Sequence, residues 1–222
     1  MTEISLSIHP QLKERCPGAA LGCLLCDVQV TDPPAPLLEE IDALCRQTAG
    51  ELTVGEIAHL DTIALTRAAY KACGKDPARY RNSCEALLRR VVQGKGLYRV
   101  NNVVDAGNLI SLESGWSLGL YNADAICGPV VWEIAGEGQH YRGIGKDELN
   151  IAGLPVLRDE QGPFGCPTSD SRRTMVGPDT HRVLLCIYGF DGGRELLPWL
   201  DRAASLLRTH AAGQPSQPWL VE

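Results

Sequence analysis

The pattern of apolar and polar residues changes character along the chain. Near the N-terminus, "ISLSIH" alternates with the period of a half-buried strand, and "AALGCLLCDVQV" is an apolar run as long as a buried strand. A proline-rich break, "TDPPAP", follows these two segments. Residues 37–49 and 54–73 then carry apolar side chains at helical spacing. The pattern therefore predicts two strands followed by two helices.

The next helix is marked by its ends. In "RNSCEALLRRVVQGKG", Asn82 or Ser83 can cap the first backbone amides, and Glu85 follows Asn82 at capping-box spacing. Two glycines end the segment. The apolar stripe leaves Arg89 and Arg90 on the other side of this helix.

Strand-like runs dominate the second half of the chain. A short helix at about residues 102–113 precedes the runs "SLGLY", "GPVVWEIA", "HYRGI", "LPVLRDE" and "HRVLLCIYGF". A final helix at about residues 193–211 precedes the tail "GQPSQPW". These elements predict an α+β fold. We expect residues 1–75 to form an extension of strands and helices on a core of residues 76–192, followed by a C-terminal helix and tail at 193–222.

Composition indicates where in the cell the protein is located. The 222 residues are 44% hydrophobic, contain no apolar run of about 18 residues, and begin without the basic and apolar segments of a signal peptide. The nine cysteines have no framework spacing, which is typical of reduced and mostly buried thiols. No motif for a metal or a nucleotide cofactor is found. We therefore predict a cytoplasmic protein without a membrane segment, metal or cofactor.

Charge is unevenly distributed. The net charge is −6, but residues 67–99 hold nine basic and two acidic residues, so this segment is +7 and the remainder is −13. Such a segment is either a footprint for an RNA backbone or a solvated helix face that meets acidic neighbours. The candidate RNA-binding residues are Arg79, Arg81, Arg89, Arg90 and Lys95.

The middle of the chain resembles a known family. The stretch "PARYRNSCEALLRRVVQGKGLYRVNNVVDAGNLISLESGWSLGLYNADAICGPVVWEIA" resembles the B3/B4 domain of the bacterial phenylalanyl-tRNA synthetase β subunit, and the likeness continues to about residue 190. The matching positions are Asn102, Val103, Val104, Asp105, Asn108, Gly115 and Tyr121. Tyr121 stands at the phenylalanine of the family's "FD" step. The whole chain is similar to freestanding B3/B4 proteins, whose characteristic "DS" and "T" stand in "SDSRRTMVGPDTHRVLL".

This resemblance implies a B3/B4-like layered β/α domain with flanking helices. In the synthetase, the domain removes tyrosine wrongly esterified to the tRNA for phenylalanine, because a binding site cannot reject every near-isostere. A freestanding copy implies a trans-acting editing factor. Its partner would be tRNA or aminoacyl-tRNA.

The resemblance also implies pocket residues. Asn108 falls on the family's pocket asparagine and Asp105 on its neighbouring aspartate, while Gly107 and Gly119 stand in place of a threonine and a histidine. The glutamate that recognises the tyrosine hydroxyl falls on Cys186. Without that acceptor, the pocket is not expected to select a phenol.

In place of the family's glycine-rich loop stands the charged "SDSRRT". Its side chains would bind an amino acid's ammonium and carboxylate or a terminal ribose and phosphate. In the alternative interpretation, Asp170 and Ser171 cap a helical turn and the arginines are solvated. The full set of predicted pocket residues is Asn102, Asp105, Asn108, Tyr121, Asp170, Ser171, Arg172 and Thr174.

Helical spacing accounts for the polar residues of "NNVVDAGN". Asn101 or Asn102, Asp105 and Asn108 recur at intervals of three or four, so they lie on one face or beside it. Buried amides and carboxylates must be hydrogen-bonded, and these either brace adjacent loops or line a pocket. No hydroxyl has a recognisable base, which favours a positioned water over a covalent intermediate.

Three functions fit these features. The first is a trans-acting aminoacyl-tRNA deacylase. The second is a noncatalytic RNA-binding module, and the third is a protein that binds a free amino acid or a derivative in the same pocket. The sequence leaves the oligomeric state open.

Overall fold

The computed structural model describes residues 4–145 and 148–222. Over these two ranges the helices are α1 (Pro10–Arg15), α2 (Ala35–Glu51), α3 (Asp61–Ala72), α4 (Ser83–Val92), α5 (Asn102–Ser114) and α6 (Leu196–His210). The strands are β1 (Leu6–Ile8), β2 (Ala20–Asp27), β3 (Leu118–Asn122), β4 (Val130–Ile134), β5 (His140–Tyr141), β6 (Leu149–Asn150), β7 (Pro155–Asp159), β8 (Gly162–Gly165), β9 (Arg182–Gly189), β10 (Gln214–Pro215) and β11 (Trp219–Val221).

Two main sheets organise the molecule. One has the strand order β1-β4-β7-β8, with β1 parallel to β4 and the other pairs antiparallel. The other has the order β10-β2-β9-β3, with β11 also paired to β2, and is antiparallel throughout. The strands β5 and β6 form a separate pair. The predicted α+β class is confirmed.

Helices cover the larger sheet. Leu196 and Leu200 of α6 lie over Gly22 of β2, where a Cβ atom would be only 3.1 Å from either side chain. The absence of a side chain at Gly22 thus lets the helix approach the sheet closely. The apolar side chains between helices and sheet form the main core.

The N-terminal segment is more deeply integrated than we expected. All eight residues of β2 pair with β9, so residues that we expected to pack on the core supply an inner strand of its sheet. Cys23 and Cys26 are buried in that strand. The domain boundaries placed near residues 75 and 192 stay a prediction.

Several local elements differ from the sequence expectations, including the short strands β6 and β8, which were not predicted. Residues 54–73 do not form one helix: a 3-10 turn at Ile57–His59 is followed by extended backbone at Leu60, and α3 begins at Asp61. The six-residue helix α1 was not predicted, because it is too short to give a periodic pattern. The tail forms β10 and β11 against β2. No helix in the described ranges is long and apolar enough to cross a bilayer.

Asn82 caps the start of α4 as predicted, whereas Glu85 does not complete a capping box. Asn82 Oδ1 accepts a hydrogen bond from the backbone N–H of Glu85 at 2.8 Å. The Glu85 carboxylate is fully buried and is directed toward guanidinium groups, with Arg67 at 3.0 Å and Arg89 at 3.1 Å. A buried carboxylate needs such partners, which explains why this side chain is not used in a capping box.

Candidate functional site

A cavity of about 160 Å³ lies between α5 and β3. The helix contributes Val104, Gly107 and Asn108, which share a face because they are three and four residues apart. The strand contributes Leu118 and Leu120, whose side chains lie on the same face of β3. A Cβ atom at Gly107 would lie 2.4 Å from Leu120 Cδ1, so this glycine permits the close contact of helix and strand.

Two polar side chains belong to an otherwise apolar lining. The rest of the wall comes from three separate segments, with the residues Val100, Ile144, Asp170, Met175 and Val176. Of the described lining residues, only Asn108 and Asp170 carry polar side chains. The structure therefore brings together two residues that the sequence analysis proposed for a pocket.

The Asp170 carboxylate is held from behind by a tyrosine pair. The hydroxyl of Tyr121 donates a hydrogen bond to Asp170 Oδ1 at 2.8 Å and is also hydrogen-bonded to the Tyr188 hydroxyl. The backbone N–H of Cys166 points to the same oxygen at 3.4 Å. Burial raises the pKa of Asp170 to about 7, although both hydrogen bonds act in the opposite direction. A carboxylate with this pKa exchanges protons near neutral pH, as a general base must.

Two glycines make room for the Tyr121 phenol. A Cβ atom at Gly119 would lie 1.9 Å from the phenol oxygen, and one at Gly165 would lie 2.2 Å from it. The ring of Phe164 meets the Tyr121 ring edge-on, with centroids 5.0 Å apart. Tyr121, which we predicted to line the pocket, is instead fully buried behind Asp170 and orients its carboxylate. It must be buried because its strand position faces the core rather than the cavity.

Asn102 and Asp105 also lie outside the cavity. The Asn102 amide accepts from the backbone N–H of Thr31 at 2.9 Å and donates to the carbonyls of Gln29 at 2.9 Å and His210 at 2.8 Å. These contacts tie three chain segments together, so Asn102 is a brace and does not line this cavity.

Asp105 acts on the pocket wall indirectly. Its Oδ1 accepts from the backbone N–H of Val100 at 3.0 Å, and Val100 lines the cavity. Its Oδ2 is buried and has no hydrogen-bond partner within the described ranges. Burial accordingly raises the pKa of this carboxyl group. The bracing interpretation of the polar helix face thus accounts for Asp105, and Asn108 alone of this set reaches the cavity.

Only Asp170 of the "SDSRRT" loop lines the cavity. Ser171 is buried and caps a 3-10 turn by accepting from the backbone N–H of Arg173 at 3.2 Å. Arg172 is exposed and donates to the carbonyl of Gly143 at 3.3 Å. Thr174 is fully buried, and its hydroxyl has no partner in the part of the chain that the structure describes. Ser171, Arg172 and Thr174, which we predicted to line the pocket, therefore do not line this cavity, because the 3-10 turn directs their side chains elsewhere.

Arg173 stabilises this loop in an unexpected way. Its guanidinium forms a two-pronged ion pair with Asp159, at 2.8 and 3.0 Å, and also donates to the carbonyls of Ala125 and Gly162. The alternative in which both loop arginines are solvated is thus wrong for Arg173. This pair anchors the turn immediately after Asp170.

The comparisons with known proteins place the chain in a family. The sequence profile of the B3/4 domain matches residues 65–196, which is more than half of the chain. The chain belongs to the B3/4 domain family. The resemblance found in the sequence is thereby confirmed. No curated protein sequence matches this B3/4 protein.

A solved structure extends the likeness to nearly the whole chain. This B3/4 protein is similar to an N-terminal fragment of the phenylalanyl-tRNA synthetase β subunit from Pyrococcus horikoshii, with a TM-score of 0.52 and 13% identity. The match covers 96% of the present chain and 50% of that fragment, so the B3/4 protein spans half the length of the relative. At this identity, the likeness shows the fold alone.

The basic residues of this B3/4 protein gather around α4. A depression of about 270 Å³ is lined by Arg81, Ala86, Leu87, Arg89, Arg90, Gln93, Lys95 and Tyr98. Arg79 lies in an adjoining cleft that shares Arg81 and Ala86 with it. The five basic residues that we predicted to contact RNA thus lie on one continuous surface.

Other cations of the same segment serve the fold. Arg99 pairs with Asp42, and Lys75 donates to the carbonyls of Asn150 at 3.1 Å and Ala152 at 2.6 Å. The net charge of +7 on residues 67–99 is therefore larger than the charge available to bind a partner. The interpretation as a helix face that meets acidic neighbours thus holds for Arg99, and RNA binding by the remaining cations stays a prediction.

Sequence reasoning missed most of the apolar lining. Leu118 and Leu120 had a usable signal, because strand alternation sets them opposite Gly119 and Tyr121. Ile144, Met175 and Val176 come from irregular segments, where no periodic pattern indicates which side chains turn inward. Cys186 is buried in β9 beside Cys23 of β2.

Proposed function

We propose that this B3/4 protein is a trans-acting aminoacyl-tRNA deacylase whose active site is the cavity between α5 and β3. The observation that carries the proposal is that Asn108 and Asp170 line the same apolar cavity of a B3/4 domain. An apolar cavity with a few polar groups is the usual form of a site for a small organic group. Here that group is the esterified amino acid.

The pocket supplies what ester hydrolysis needs. An aminoacyl ester is already reactive, so the protein must chiefly orient a water molecule and stabilise the developing oxyanion. In our proposal the Asn108 side-chain amide donates to the carbonyl oxygen. Asp170 accepts a proton as the water oxygen attacks the carbonyl carbon. The ribose oxygen then leaves with the electron pair of the ester bond and takes that proton from Asp170.

The tyrosine pair tunes this base. Tyr121 donates to one oxygen of Asp170, which fixes the carboxylate, and in our proposal the other oxygen acts on the water. Tyr188 holds the Tyr121 hydroxyl in place. The apolar residues of the wall would contact the side chain of the amino acid and exclude bulk water. We further propose tRNA as the partner, bound on the basic surface around α4, in the cytoplasm.

The test is a deacylation panel. Total tRNA, charged separately with each standard amino acid and several non-protein ones, is incubated with wild-type protein and with Asn108→Ala and Asp170→Asn. Gln47→Ala, at an exposed position of α2, is the matched control. We expect loss of one class of ester with the wild type and the control, and at least tenfold slower loss with both site variants. Survival of every ester at stoichiometric protein would refute the proposal.

A second candidate function rests on the size of the cavity. About 160 Å³ suits a group no larger than a single amino acid, and Asp170 and Asn108 are suitable partners for a free ammonium and carboxylate. Binding of a free amino acid or derivative would raise the melting temperature without tRNA. Stabilisation by a free ligand together with a negative deacylation panel would favour this function. RNA binding with neither result would indicate a noncatalytic RNA-binding module.

A further inference from the structure

Exposed apolar side chains are concentrated beside the cavity. Tyr98 is 58% exposed, Val100 56%, Met175 46% and Ile144 41%, and the last three line the cavity itself. Large apolar side chains that are exposed together usually mark a contact surface. The segment that links Tyr98 to Val100 therefore joins the basic depression to the mouth of the pocket.

Tyr98 has the geometry of a stacking platform. The Arg90 guanidinium carbon lies 4.0 Å from the Tyr98 ring centroid, so one ring face is covered by a cation and the ring is held in place. The remaining exposure leaves the ring open to a planar group. Nucleobases stack on aromatic side chains in this way, and arginine beside the ring adds to the attraction.

The position of the ring is fixed relative to the cavity. Tyr98 and Val100 are two residues apart, so their Cα atoms are separated by at most about 7 Å. Leu97 is buried before this segment, and the hydrogen bond from Val100 to Asp105 anchors it afterwards. A base on Tyr98 would therefore lie next to a group held in the cavity.

The surroundings of Tyr98 are suited to a phosphate backbone. None of the residues that line the depression is acidic, and all of them lie within the described part of the chain. The buried carboxylate of Glu85 is shared by Arg67, Arg81 and Arg89, which leaves an excess of positive charge. Lys95 adds a further exposed cation at the edge.

We propose that the depression formed by Arg81, Arg89, Arg90, Lys95 and Tyr98 binds the unpaired 3′ end of tRNA, with one base stacked on Tyr98. The inference rests on the proposed function and deepens it by locating the RNA strand. With a base on Tyr98, the terminal ribose and its ester reach the cavity past Val100. Double-stranded RNA lacks a free base for the platform and is bound more weakly.

The test measures binding of RNA without any amino acid. A fluorescein-labelled single-stranded 12-mer and a blunt duplex of the same length are titrated with wild type, Tyr98→Ala, Tyr98→Phe and Lys95→Ala. Arg194→Ala, an exposed cation at a distant position, is the control. We expect Tyr98→Ala to weaken single-strand binding about 5- to 100-fold and Tyr98→Phe to change it less than about threefold. Lys95→Ala should lower the salt slope by about one, with no change for the control.

The outcomes separate this inference from the proposed function. Equal affinity of wild type and Tyr98→Ala for the single strand would overturn the platform, even if tRNA esters are hydrolysed. Equal affinity for strand and duplex would do the same. If Tyr98→Ala binds the single strand more weakly and the deacylation panel is negative, the RNA site is upheld. Only the proposed hydrolysis is then refuted.

Discussion

Replacement of Asp170 by asparagine should make the free energy of unfolding less sensitive to rising pH. The folded state raises the pKa of this carboxyl group from 3.8 to about 7 because it is buried. Between these two values the folded protein holds a proton that the unfolded chain has lost. The free energy of unfolding therefore falls by about 1.4 kcal/mol per pH unit as pH increases, until the folded pKa is passed.

The magnitude follows from that slope. From pH 5 to pH 8 the free energy of unfolding falls by about 2 to 3 kcal/mol. The lower end of this range is expected because Asp170 is only half-buried and solvent screens its charge. Asparagine cannot ionise, yet it offers the Tyr121 hydroxyl an acceptor of the same shape. Asp170→Asn should thus gain about 2 to 3 kcal/mol of stability relative to the wild type between pH 5 and pH 8.

Urea unfolding of both proteins at pH 5, 6, 7 and 8 measures this difference in stability. The contributions of all other titrating groups are the same in the two proteins and cancel in the difference. Asp179→Asn, at an exposed position in the same region, should show no such trend. If the difference between Asp170→Asn and wild type is the same at every pH, the carboxyl group does not titrate as argued. Its assignment as a base near neutral pH would then fail as well.

Further predictions concern the same surroundings. The rate of deacylation by the wild type should rise as pH increases through about 7, because ionised Asp170 is the base, and a pH–rate profile without this rise would contradict the role. Asn102→Ala should cost about 2 to 4 kcal/mol in urea unfolding because it leaves buried backbone groups unpaired, whereas a cost below about 1 kcal/mol would show that the brace is dispensable. Asp105→Ala should weaken RNA binding by freeing Val100, and Asp105→Asn should restore it by keeping the acceptor. Equal binding by the two Asp105 variants would refute this.

The sequence predicted most of the longer elements, missed the short ones, and predicted the site only in part. Helix α4 and its Asn82 cap were predictable because capping and apolar spacing are local properties. The pairing of β2 with β9 was not, since strand partners are set by long-range packing that no local pattern contains. The same limit applies to the site: Asn108 and Asp170 were named singly, but their approach to one cavity depends on the loop that the ion pair between Arg173 and Asp159 anchors.

Three residues around the buried Tyr121 ring depend on one another. A buried hydroxyl without a partner costs about 1 to 3 kcal/mol. Asp170 accepts from the Tyr121 hydroxyl at 2.8 Å, and Tyr188 is its other partner. Glycine at 119 supplies the space, because any Cβ atom there would overlap the phenol. Together these residues make a fully buried ring the support for a carboxylate in the cavity, so they act as one unit in the structure.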